Sequence, residues 1–122
     1  MKHYISIIIL AIFLFSCNGH SKHWETLSQV ESYIEEKPDS ALVTLEQMDL
    51  SELSGKEEKA KYALLYSMAL DKNFIDKTDF EVLQPAIDYY EDNGSATDKL
   101  RTYYYQGRIY QNMGNDALAM ES

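Results

Sequence analysis

An all-α fold of antiparallel helix hairpins, about three of them with the last incomplete, is what the sequence predicts. Three observations carry that expectation. Apolar residues recur at three- and four-residue intervals from Trp24 to the end of the chain, the spacing of a helix face. Short clusters of Pro, Gly, Ser, Asn and Asp separate the periodic stretches. No stretch of useful length alternates apolar with polar residues as a half-buried strand does.

Trp24 opens the first helix. Leu27, Val30, Tyr33 and Ile34 fall at i, i+3, i+6 and i+7 on one face, with an end expected near Lys37. Pro38-Asp39-Ser40 is punctuation, since proline cannot continue a helix and Asp39 or Ser40 is placed to cap the next one. Ala41, Leu42, Leu45 and Met48 form the face of that second helix. A connector over 49–56, carrying Ser51, Ser54 and Gly55, leads into a third. There Ala60, Ala63, Leu64, Ser67 and Leu70 alternate small and large side chains along one face, which favours close helix packing over a cavity. The loop 73–77 offers Phe74 and Ile75 as anchors back onto the hairpin. Thr78 or Asp79 is expected to cap a fourth helix reaching Asn93-Gly94, bent or delayed by Pro85. Ser95 or Thr97 starts a fifth, which should stop at Met113 so that Gly114-Asn115 turns the chain into a sixth from Asp116.

The chain's first seventeen residues, MKHYISIIILAIFLFSC, read differently. One lysine precedes an apolar run from Ile7 to Phe15, which at about ten residues is half the length needed to span a bilayer but suits the centre of a secretory signal. Cys17 is the only cysteine, so it can form no internal disulfide. Leu14-Phe15-Ser16-Cys17 resembles the lipobox of bacterial lipoproteins, with Phe15 bulkier than that pattern usually carries. The resemblance implies a signal peptide over 1–16, cleavage before Cys17 and lipidation of its thiol, followed by a polar tether over 17–23 and a helical domain over 24–122. The tether lacks the acidic cluster that accompanies surface export in some Gram-negative lineages. A lipid-anchored, periplasm-facing location is therefore expected.

Charge narrows the partners. The chain has 20 acidic against 11 basic residues, a net charge of −9. Cleavage before Cys17 would remove Lys2 and make the remainder more acidic. Nucleic acid, whose phosphates demand a basic face, is excluded as a partner of this segment. Anionic lipid would not hold the chain electrostatically either, leaving membrane attachment to the acyl chains.

Towards the end, Tyr103, Gly107, Tyr110, the pair Gly114-Asn115 and Ala119 supply in order a bulky residue, a small one, an aromatic, a turn and an alanine. That run resembles the tetratricopeptide repeat, a helix-turn-helix unit of about 34 residues. Upstream, Leu27 and Ile34 with Ala41, Leu45 and Met48, then Ala63, Ser67 and Leu70, match more loosely, and Glu31 stands where the repeat has a small residue. As a whole the chain resembles the N-terminal part of lipid-anchored tetratricopeptide proteins of Gram-negative bacteria, some of which continue into a membrane helix and a signalling or DNA-binding domain. The resemblance implies a right-handed solenoid of stacked hairpins. In it Tyr103, Tyr110 and Ala119 pack between helices, and Gly107 lets the paired helix approach. Tyr105 would then lie near the edge.

In that family ligands, commonly peptides, lie in a concave groove whose lining falls here on Arg101, Tyr104, Arg108 and Gln111. Two arginines suit an acidic or carboxylate-bearing partner, since guanidinium pairs bidentately with carboxylate; equally, they suit a solvated face on which they meet neighbouring acids. Catalysis is not expected. No histidine follows His23, no thiol follows Cys17, and Glu35-Glu36 and Glu57-Glu58 diverge on a helix. His20 and His23 lack a third ligand, so neither a metal nor any other cofactor is expected. Three functions stay open: a membrane-anchored module that binds a protein or peptide, alone or as the input segment of a larger signalling protein; a piece of an outer-membrane glycan-binding lipoprotein, with Tyr104 and Tyr105 stacking on a sugar; or a truncated product without function of its own.

Overall fold

The computed structural model describes the backbone of residues 22–121 and the side chains of residues 23–115. The expected signal segment 1–16, Cys17, residues 18–21 of the expected tether and the side chain of Ala119 lie outside the described residues. Among those described there are five α-helices and no strand: α1 Lys22–Tyr33, α2 Pro38–Gln47, α3 Gly55–Lys72, α4 Gln84–Tyr90 and α5 Ala96–Glu121. A 3-10 turn, Leu50–Glu52, joins α2 to α3. The chain is all-α.

Helix α3 is the centre, packing against each of the other four. Its predicted face of Ala60, Ala63, Leu64, Ser67 and Leu70 is buried, but so are Tyr62, Leu65, Met68 and Ala69 around the rest of the helix. A helix stretch buried nearly all round belongs inside, and from Ala60 to Leu70 α3 is covered by its neighbours on all but the side of Tyr66. Leu27 and Val30 of α1, Ile34 in the turn after it, and Ala41 and Leu45 of α2 meet it from one side, and Leu83 and Ala86 at the start of α4 from another. Several of these side chains are fully covered, each contributing on the order of 1.5–3 kcal/mol.

Local chemistry sets the helix ends, not always as expected. Helix α2 begins at Pro38 itself, so Asp39 and Ser40 are already inside the first turn and neither caps it; Lys37 is the cap residue and makes no side-chain bond. Asp49 does cap its turn, accepting from the Ser51 amide at 3.0 Å and hydroxyl at 2.7 Å. Glu58 reaches back to the Ser54 amide at 3.1 Å and secures the first turn of α3. At the other end of α3 Phe74 adopts φ +63, the Phe74 amide donates to the Asp71 carbonyl and the Ile75 amide to the Leu70 carbonyl. This is a Schellman closure with Phe74 in the position glycine usually takes. It turns the Phe74 ring outwards, 91% exposed, and Ile75 is exposed as well, so neither serves as the anchor predicted.

Residues 79–83 form bends and turns in which Asp79 accepts from the Glu81 amide at 3.0 Å, and regular helix starts only at Gln84 with Pro85 in its first turn. Pro85 thus delays α4, which is confined to seven residues. Gly94, at φ +88, lies flat against the Tyr90 ring, where an added Cβ would come within 2.6 Å. Ser95 Oγ then accepts the Asp98 amide at 3.1 Å and starts α5.

The largest departure is in α5. The expected turn at Gly114-Asn115 and a separate helix from Asp116 are absent; the helix runs unbroken to Glu121. Glycine inside a helix costs about 1 kcal/mol relative to alanine, which disfavours but does not stop it. The packing expected around the tyrosines also differs. Tyr103 and Tyr110 are 59% and 63% exposed, and a Cβ placed on Gly107 or Gly114 would meet nothing within 4 Å. The inward face instead carries Asp98, Thr102, Tyr105, Ile109 and Asn112, so Tyr105 is core rather than edge.

Candidate functional site

Arg101, Tyr104, Arg108 and Gln111 do share one face of α5, alongside α1 and α3. The structure engages both arginines within the fold. Arg101 Nη1 donates to Glu31 at 2.8 Å and lies 3.9 Å from Asp98. Arg108 donates from Nε and Nη2 to Asp71 at 3.2 and 3.1 Å and from Nη1 to Gln111 at 2.7 Å. The Asp71 carboxylate raises the Arg108 pKa, chiefly through this hydrogen bonding. An incoming carboxylate would have to displace Glu31 or Asp71. What the face offers solvent is Tyr104, 58% exposed and set edge-on to Tyr105 with ring centres 4.9 Å apart.

Behind Arg101 lies a buried ionic cluster. Lys61 Nζ donates to Glu31 at 3.1 Å and to both oxygens of Asp98 at 3.2 and 3.0 Å. It also sits 5.9 Å from the centre of the Trp24 ring, within cation–π range. Glu31, which departs from the repeat pattern, is therefore the acceptor that ties α1 to α3 and α5. Beside the cluster is a pocket of about 220 Å3 lined by Trp24, Glu57, Tyr89, Tyr90 and Asp98. The Tyr90 hydroxyl is buried without a protein partner. Burial and the neighbouring Asp98 and Glu31 push its pKa up, since an added negative charge there would be both desolvated and repelled.

A larger concavity lies on the other side of α3, between it and α4. Its apolar half, about 380 Å3, is bounded by Leu50 and Leu53 of the 3-10 turn region, Tyr62 and Tyr66 of α3, and Val82 and Pro85. The two tyrosine rings form its aromatic wall, 5.6 Å apart and tilted by 53°. Tyr62 is fixed there by donating to the Leu45 carbonyl at 2.8 Å, and burial pushes its pKa up to about 12. A polar half of about 370 Å3 continues past Lys59 and Pro85 to Lys56, Asp88 and Asn93. The combined groove has the size range of ligand sites, with an apolar floor bordered by Glu81 in one half and Lys56 beside Asp88 in the other, Lys59 standing where the two meet.

None of the groove's lining was expected to bind anything: Ala63 was read as a packing position and Pro85 as a helix interruption. Leu50 lies in a segment readable only as a connector, Val82 in a stretch that looked helical, and Lys56 and Lys59 look like ordinary surface charges. Their one sequence signal is an exposed apolar residue, Leu50, beside a turn. His23 pairs with Glu52 at 3.0 Å, and among the described residues no three candidate ligands gather around a metal position. No family model, curated protein or solved structure matches the chain.

Proposed function

We propose that the chain is a membrane-anchored helical-repeat module, stacked in the manner of tetratricopeptide hairpins, that binds a protein or peptide through the groove between α3 and α4. The observation that carries this reading is the continuity of the apolar half with the polar half across Lys59 and Pro85. A peptide that buries one large apolar side chain against Tyr62 and Tyr66 would bring a carboxylate a few residues away towards Lys56 and Lys59. The acidic partner inferred from the arginines thus finds its cations on α3 instead. Attachment through Cys17 keeps such a module at the envelope, with any signalling output supplied by a further domain.

Peptide display on the immobilised full chain tests the groove. Recovered peptides should combine an apolar anchor with a nearby acid, and Lys56→Glu with Lys59→Glu should weaken them about tenfold or more. Leu50→Asp with Val82→Asp should do the same through the apolar half. Binding untouched by both pairs would rule the groove out. For the anchor, Cys17→Ser should release the chain from the membrane fraction.

One observation favours a glycan instead: the pocket beside Trp24 and Tyr89 combines ring faces with carboxylates and an unpartnered hydroxyl. Tyr105 is buried and cannot stack on a sugar as expected. Trp24 is the only tryptophan, so saturable change in its fluorescence on titration with oligosaccharides would support this second reading.

A further inference from the structure

Helix α5 packs with one side inward and leaves the opposite, more apolar side uncovered. On the outer side Leu100, Tyr103, Tyr104, Tyr110 and Met113 are 68%, 59%, 58%, 63% and 40% exposed. Leu100, Tyr103, Gly107, Tyr110 and Gly114 repeat at intervals of three and four, the a and d positions of a heptad seam. Large and small residues alternate along it, with open space above both glycines. Apart from Lys99 beside Leu100, none of the seam or flanking positions up to Gly114 is charged, although the chain as a whole carries −9.

We infer that this face is a self-association surface on which α5 of a second copy packs antiparallel. Size decides the direction. Parallel pairing would set tyrosine against tyrosine and glycine against glycine, leaving clashes and gaps in turn. Antiparallel pairing mixes a with d layers and allows each tyrosine to fill the notch over a glycine. In one register Tyr103 of each copy covers Gly114 of the other, and Tyr110 covers Gly107. Sliding by a heptad either sets Leu100 against Tyr110 or deprives Gly107 of a large partner. The seam is therefore complementary to itself in a single register, as a two-fold dimer requires.

Charge and area agree. An acidic chain repels its own copies over most of its surface, and an uncharged stripe is where that repulsion is least. At about 200 Å2 per large side chain, the exposed fractions leave roughly 550 Å2 of largely apolar surface. With Gln106, Gln111 and the glycine backbone alongside, this approaches the ~800 Å2 per partner of a specific interface. Two of the rings are already held: Tyr110 packs edge-on to Phe80 at 5.0 Å and Tyr104 to Tyr105 at 4.9 Å, so these lose little side-chain freedom on docking.

Sedimentation of the full chain in mild detergent, which keeps the apolar N-terminal run from aggregating, should show a dimer at micromolar concentration. Gly107→Glu adds no clash within the protomer, since the space above Gly107 is open, and should raise helix stability while weakening dimerisation roughly a hundredfold. Orientation is read by cross-linking two chains that also carry Cys17→Ser. A Tyr103→Cys chain mixed with a Gly114→Cys chain should form disulfides between the two variants in preference to pairs of like variants. A monomer throughout the range, a dimer indifferent to Gly107→Glu, or predominantly like-with-like cross-links would each overturn the inference.

Discussion

Replacing Lys61 with methionine should destabilise the fold by about 3 kcal/mol, more than any surface change. Lys61 keeps nearly the same length in the variant but loses the ammonium that stands between Glu31 and Asp98. Its side chain is 10% exposed and that of Asp98 12%, so water entering from the neighbouring pocket replaces the lost partner only in part. Breaking a buried pair by removing one member costs about 3–5 kcal/mol. The lower end applies here, because Glu31 is 31% exposed and retains Arg101 at 2.8 Å, whereas Asp98 is left with Arg101 at 3.9 Å. For a domain of this size 1 kcal/mol shifts Tm by about 4–8 °C, so Tm should fall by roughly 12 °C or more. Urea unfolding followed by circular dichroism measures the loss directly. Adding Asp98→Asn to Lys61→Met removes the stranded charge and should recover part of it. A loss below about 1 kcal/mol would mean that Asp98 is not desolvated as placed, and the reasoning would fail.

Tyr90→Phe deletes a buried hydroxyl without a partner and should leave stability unchanged or raise it by about 1 kcal/mol; a clear loss in thermal denaturation would reveal a bond to something other than protein. Gly94→Ala combines a left-handed backbone with a Cβ 2.6 Å from the Tyr90 ring, and a cost near 2 kcal/mol in the same assay is expected. Burial pushes both Tyr62 and Tyr105 from 10.0 up to about 12. Between those values the unfolded chain sheds protons that the folded chain keeps, so this stability is full below about pH 10 and is lost as pH rises through about 12. Equal urea midpoints at about pH 9 and about pH 11 would contradict it.

Much of the fold was legible because it depends on local rules. Leu27 and Val30 announced the buried face of α1, which Ile34 extends into the following turn, Ala41 and Leu45 that of α2, and Ser95 the start of α5. What escaped were places where two local preferences compete. Phe74 looked like an anchor by hydrophobicity, but the closure of α3 needed a left-handed residue at that position, and backbone hydrogen bonding outweighed one ring's burial. The groove between α3 and α4 could not be foreseen, because it is a space left by the delayed start of α4 at Pro85 and not a property of any segment.

The sequence by itself determined that this chain is helical, where most helices lie, and that a periodic apolar face runs down each. Only the tertiary structure decided which face of α5 turns inward. By composition Tyr103, Tyr110 and Leu100 make the more apolar side, yet the side that packs carries Asp98, Thr102 and Asn112. Those polar groups can be buried because each has a partner waiting: Lys61 for Asp98, the Asp98 carbonyl for the Thr102 hydroxyl at 2.8 Å, and the Lys77 carbonyl for Asn112 at 3.1 Å. Periodicity counts apolar residues along one helix. It cannot see that polar atoms on that helix are met by complementary atoms from α3 and from the loop before α4, and burial depends on that match.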